Sequence, residues 1–156
     1  MNTPRSVLGA IVALLVTFGA AYVGSRFPVD EWYAALAKPS WNPPNWLFGP
    51  VWSVLYLLMA ISAWLVWRQE GFSNAILPLG IFILQLVLNA AWSWLFFGLH
   101  RLSLAFAEII ALWLVILVNI VLFWRVNTVS GVLLLPYLIW VTFAAFLNYT
   151  LWRLNA

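Results

Sequence analysis

Cysteine is absent from this chain of 156 residues, histidine occurs once, at His100, and only 7% of the residues carry charge. Without cysteine there can be no disulfide framework, thiolate metal site or thiol nucleophile. A single histidine excludes His clusters, so no metal site is expected. No acid–base constellation suited to ordinary hydrolysis or group transfer is present. The seven basic residues give a net charge of +3, but they are scattered and form no nucleic-acid patch. Most lie where the ends of membrane helices would fall, as anchoring Lys and Arg do.

Apolar residues, in contrast, are abundant. Hydrophobic residues make up 66% of the chain, mean hydropathy is +1.02, and there are twelve tryptophans. A water-soluble domain this small could not solvate such a surface, so lipid must be the solvent. A spanning helix takes roughly 20 mostly apolar residues, and the sequence divides into five such stretches, at about 6–26, 46–68, 75–99, 102–125 and 131–153. The expected fold is a single all-α domain over 1–156, a five-helix transmembrane bundle and hence a multi-pass integral membrane protein. In a bacterium that would place it in the cell (inner) membrane. The first stretch is too long for the apolar core of a signal peptide. Its Ala13, Thr17, Ala21 and Ser25 recur every four residues, a groove of small side chains that lets helices approach closely.

The connector from Phe27 to Gly49 differs in kind. Asp30 and Glu31 after Pro28 predict the start of a short helix running to Ala37, since acids suit a helix N-terminus. Two Pro-rich turns follow. A connector of about two dozen residues is more often functional than idle. The other connectors read as tight turns at Arg68–Asn74, His100–Arg101 and Arg125–Gly131. Arg5, Arg68 and Arg125 fall on one side of the membrane, and Arg26, Lys38, Arg101 and Arg153 on the other. That balance gives the positive-inside rule nothing to act on.

Trp46, Trp67, Trp124 and Trp152 sit near span ends, as headgroup anchors do. Trp52, Trp92, Trp113 and Trp140 sit deeper, where an indole N–H needs an acceptor that lipid tails lack. Helical spacing groups Trp52, Tyr56, Met59 and Ala63 on the second span, and Gln85, Asn89, Trp92 and Phe96 on the third. It also groups Glu108, Leu112, Val115 and Asn119 on the fourth, and Pro136, Trp140, Ala144 and Asn148 on the fifth. Such faces either glue helices together or line an apolar pocket with a few orienting groups. Glu108 is the one ionisable residue well inside a span. It is either a group that bonds or snorkels locally or, as in a small proton-coupled exporter, a functional carboxylate.

Several segments together resemble the family of tryptophan-rich sensory proteins (TspO), whose mitochondrial relatives are the translocator proteins, once called peripheral benzodiazepine receptors. They are Trp32-Tyr33, Lys38-Pro39-Ser40-Trp41-Asn42-Pro43-Pro44, Val51-Trp52-Ser53-Val54-Leu55-Tyr56, Gln85 to Ser93 with Phe96-Phe97-Gly98, and Pro136 to Trp140 leading to Ala144 and Leu147-Asn148-Tyr149. They occur in family order from Trp32 to Arg153. The resemblance implies a five-helix bundle, usually a homodimer, with the first connector as a lid over a pocket. Its ligands would be porphyrins, haem and related tetrapyrroles, sterols and other flat apolar compounds, bound as ligands and not as permanent cofactors. It implies ligand-binding positions at Tyr33, Trp41, Pro43, Trp52, Tyr56, Asn89, Trp92, Trp140, Ala144 and Asn148. Trp52 and Trp140 match tryptophans tied to light-dependent porphyrin breakdown, the catalytic alternative to a binding or transport role. Leu147, Tyr149 and Arg153 fit a short sterol-contact pattern. No His or Cys pair is available for axial haem ligation, so stacking and apolar burial would hold the ring. The third span lacks small-xxx-small spacing at the dimer face that some bacterial relatives use. His100 matches no family motif and is expected at the membrane interface.

Overall fold

In hydrocarbon the backbone must satisfy its own hydrogen bonds, and a chain of apolar runs does so by coiling each run into a helix. The computed structural model describes residues 3–156. Its helices are α1 (Thr3–Ser25), α2 (Glu31–Ala35), α3 (Asn45–Asn74), α4 (Ile76–Ser93), α5 (Leu102–Val126), α6 (Thr128–Leu133) and α7 (Leu135–Leu154). A π-helical turn, Trp94–Gly98, extends α4. Among the described residues, five stretches are long and apolar enough to cross a membrane: Pro4–Ser25, Asn45–Asn74, Ile76–Gly98, Leu102–Val126 and Thr128–Leu154. The chain is therefore a multi-pass, all-α membrane protein.

Helix α5 is the centre of the bundle, with α4 and α7 packed along it, while α1 lies against α3 and α4. The main core joins Met59, Ala63 and Val66 of α3 to Phe82, Leu112, Ile116, Phe123, Tyr137 and Val141. A second core at one end joins Tyr33, Phe96, Leu102, Ala105, Leu147 and Leu151. Ala13 and Thr17 of the small-residue groove are buried and Ala21 is half-buried against the core, but Ser25 is exposed, so the groove works through the middle of α1 and ends before its last turn.

Two boundaries and one buried face differ from the sequence expectation. The second span continues to Asn74 and is interrupted only at Gly71, whose φ of 71° is a left-handed value natural to glycine. The predicted turn at Arg68–Asn74 is thus a one-residue break. Most of the turn expected at Arg125–Gly131 is helical: only Asn127 is extended, and its side chain accepts a hydrogen bond from Ser130 N to start α6. The buried face of α7 runs through Tyr137, Val141, Asn148 and Leu151, leaving Pro136 exposed at the helix start, where its missing N–H costs nothing.

The end of the bundle formed by α3, α5 and α6 is closed by close backbone approach. Ser62 Oγ donates to Ser130 O at 2.7 Å, and Gln69 Nε2 donates to Val126 O at 2.6 Å. A Cβ on Gly131 would lie 2.8 Å from Trp124 Cβ and 3.0 Å from its Cα, so only glycine fits there.

Candidate ligand chamber

At the opposite end the first connector folds over the bundle. Asp30 caps α2, accepting a hydrogen bond from Tyr33 N at 3.0 Å. That bond holds the Asp30 carboxyl below its usual 3.8; desolvation opposes it, and the neighbouring His100 adds a lesser lowering. The short helix ends at Ala35, earlier than the expected Ala37, and Lys38 Nζ donates to Ala34 O and Leu36 O. The same ammonium lies 4.8 Å from the centre of the Tyr33 ring. Tyr33 is turned inward and its hydroxyl donates to Asn42 Oδ1 at 3.2 Å; burial raises its phenol above the ordinary 10.

Two clasps fix this lid. Ala37 N donates to Asn155 Oδ1 at 2.9 Å, and Asn155 Nδ2 returns a bond to Ala37 O at 3.0 Å. At the other clasp His100 Nε2 lies 2.9 Å from Asp30 Oδ2, and its ring stacks on Trp32 with centroids 4.1 Å apart and planes 13° apart. His100 also takes a φ of 56°, which turns the chain from the π-helical turn into α5. The histidine expected as an interfacial residue is thus a lid contact, made across 70 positions of sequence.

Beneath the lid is a small, partly enclosed chamber of about 30 Å³. Tyr33 forms its roof, Phe48, Trp92, Phe96 and Phe97 line it from α3 and α4, and Trp140, Phe143, Ala144, Leu147, Asn148 and Leu151 line it from α7. The polar groups are already paired: Trp92 Nε1 donates to Asn148 Oδ1 at 3.1 Å, and Asn148 Nδ2 donates to Leu102 O at 2.9 Å. The chamber therefore offers aromatic faces and few free hydrogen-bonding groups.

Five of the sequence-derived positions, Tyr33, Trp92, Trp140, Ala144 and Asn148, meet at this chamber. Tyr56 and Asn89 lie in an adjoining buried chain, in which Tyr56 Oη donates to Asn89 Oδ1 at 2.7 Å and Asn89 Nδ2 donates to Tyr137 Oη at 2.9 Å. Trp52 packs on that chain, 5.5 Å from Tyr56 and 6.2 Å from Tyr137, whereas Trp140 packs on Phe48 and Phe143. Trp41 is about half exposed and covers Phe143 from outside at 6.0 Å, and Pro43 accepts from Asn42 Nδ2 within the connector. The sterol pattern is divided: Leu147 faces the chamber, while Tyr149 and Arg153 face outward. Both carboxyl oxygens of Glu108 are buried with no hydrogen-bond partner among the described residues. No cluster of three metal-ligating side chains occurs among the described residues either.

The sequence profile of the TspO/MBR family matches residues 10–153. The chain belongs to the TspO/MBR family. It is 45% identical over 140 residues to protein CrtK of Rhodobacter capsulatus, covering 87% of this chain and 86% of that one. It is 41% identical over 139 residues to the human translocator protein, covering 86% and 82%. It is 36% identical over 162 residues to the tryptophan-rich protein TspO of Chlorobaculum tepidum, covering 99% of each. Phe48, Phe97 and Phe143 are chamber residues of this TspO-family chain that sequence reasoning missed. The available signal was position: Phe143 lies three residues after Trp140, and Phe97 follows Phe96.

Proposed function

We propose that this membrane protein is a receptor for flat apolar ligands, porphyrins and haem above all, which enter the lidded chamber. The observation that carries the reading is the convergence of Tyr33 from the lid with Trp92, Trp140 and Ala144 from two membrane helices on one aromatic space. A tetrapyrrole can stack on such rings, and the paired amide of Asn148 leaves little to compete for its apolar faces. None of the chamber's lining residues is a His or Cys, so the ring would be held by contact and not by axial coordination. Sterols share the required flatness and are proposed for the same chamber.

Pockets for drug-sized ligands measure roughly 300–1,000 Å³, an order of magnitude more than this chamber. Binding therefore requires the lid and its aromatic neighbours to move apart, as binding lids do on microsecond to millisecond timescales. Transport would be a consequence of that opening if the ligand left by a second route. The enzymatic alternative assigns light-driven porphyrin breakdown to Trp52 and Trp140.

Titration of purified protein with protoporphyrin IX, in darkness and under illumination, tests these readings. Saturable quenching of tryptophan fluorescence in the dark, weakened by Trp140→Ala and unchanged by Trp46→Phe at the exposed rim, is expected. Absence of saturation, or indifference to Trp140, would remove the chamber as the site. Loss of porphyrin absorbance in light that vanishes in Trp52→Phe/Trp140→Phe would establish the enzymatic alternative; equal rates in wild type and double variant would exclude it.

A further inference from the structure

The other side of α7 carries a larger hollow, a groove of about 350 Å³ between α5 and α7. Phe106, Ile110 and Trp113 form one wall, and Thr142, Ala145 and Tyr149 the other. Steps of three and four residues keep each wall on one helix face for two turns. Ala145 leaves the space that a larger side chain would fill. The polar groups in the middle of the walls are already used, since Trp113 Nε1 donates to Thr142 Oγ1 and Thr142 Oγ1 donates to Leu138 O, both at 2.8 Å. The groove thus presents hydrocarbon and ring surface within two membrane-spanning stretches, on the outside of the bundle. Its occupant must be apolar and must come from the bilayer.

One end of the groove is different. The rings of Phe106, Tyr149 and Trp152 pack together, with centroids 5.2 to 6.1 Å apart. Arg153 follows Tyr149 by one turn on the same face, and Arg101 immediately precedes α5 at that end; both are exposed. Exposed arginines at headgroup depth attract anionic lipid phosphates. We propose that the groove seats one acyl chain of an anionic phospholipid, with its phosphate at Arg153. A sterol suits the groove less well, because Leu147, the third residue of the sterol pattern, is buried and faces the chamber. A flexible chain needs no third rigid contact.

The test uses the full chain in phosphatidylcholine nanodiscs holding a trace of phosphatidylglycerol with a photoreactive acyl chain. After irradiation, peptide mapping should place label on Ile110, Ala145 and Phe146, severalfold above the same probe on phosphatidylcholine. Arg153→Gln, an exposed change that leaves the helix intact, should abolish that headgroup preference while chain labelling persists. Ala145→Leu should abolish labelling of the groove while protoporphyrin quenching in the chamber is retained. Label spread evenly around the bundle, or equal labelling by both headgroups, would overturn the proposal. So would displacement of the probe by a sterol, or efficient disulfide formation between copies of Ala145→Cys.

Discussion

The two ends of the bundle are closed by different materials. Where α3, α5 and α6 meet, backbone approaches backbone: Ser62 bonds to Ser130 O, and Gly131 leaves no room for a Cβ beside Trp124. At the lidded end, rings meet rings, and the connector is held by a few contacts from Asp30, Ala37, His100 and Asn155. Close-packed backbone cannot part without losing the fold, whereas a handful of exposed hydrogen bonds can open locally. One end is a hinge-free base and the other a cover, which is the division that a reversible binding chamber requires.

The sharpest way to break this contrast is to damage the base. Gly131→Ala forces a Cβ into Trp124, and overpacking of this kind costs about 1–3 kcal/mol. Thermal unfolding in detergent should show a clear loss of stability, with protoporphyrin affinity of the folded protein unchanged. A matching loss of affinity would mean that the two ends are not independent.

Ala144→Thr should do the reverse. The added branch enters the chamber wall, and its hydroxyl can donate to Trp140 O four residues back, so the helix survives. Unfolding temperature should hold, while affinity for large rigid ligands falls roughly tenfold per ~1.4 kcal/mol lost. Equal losses for large and small ligands would show that Ala144 does not shape the chamber.

Much of the architecture was legible because its signals are local and periodic. Apolar runs, the stripe Gln85, Asn89, Phe96 and the acids before α2 each lie within a few turns of helix. Contacts that join distant positions were not legible. His100 looks like any turn histidine until folding sets it against Asp30 and Trp32. Phe48 and Phe143 look like lipid-facing rings, because phenylalanine carries no polar atom to mark an inward face. The sterol pattern shows the same limit: Leu147, Tyr149 and Arg153 lie within two turns of α7, yet Leu147 faces the chamber while Tyr149 and Arg153 share the outer face.

His100→Ala tests the cover itself with a smaller effect. It removes one hydrogen bond, worth about 0.5–1.5 kcal/mol, and the stack on Trp32. Hydrogen exchange of α2 amides should quicken severalfold and ligand dissociation should accelerate, with little change in unfolding temperature. Acid offers a parallel route. The Asp30 carboxyl is held below 3.8 in the folded lid, so its contribution is complete above that value and disappears as pH falls through the lowered one. Exchange of α2 should therefore rise only in strongly acidic medium, and Asp30→Asn should remove the pH dependence. The smallest effect is expected from Glu108→Gln. With no side chain among the described residues hydrogen-bonded to Glu108 to receive a proton, porphyrin affinity should stay within a few fold of wild type. Loss of proton-driven uptake in vesicles would restore the exporter reading.

The π-helical turn at Trp94–Gly98 bears on how such a chamber can change over generations. An i→i+5 bond encloses one residue more than the α-helical bond, so the turn is equivalent to a single added codon in an otherwise regular helix. Phe96 and Phe97, adjacent in that turn, both pack on Tyr33, at 6.1 and 5.6 Å. Deleting one residue there would restore the regular helical register and swing one ring away from the roof. The packing faces of α4 before Trp94 would be untouched. Gain or loss of one codon at this point is thus a route by which descendants of this gene could resize the chamber without redesigning the bundle.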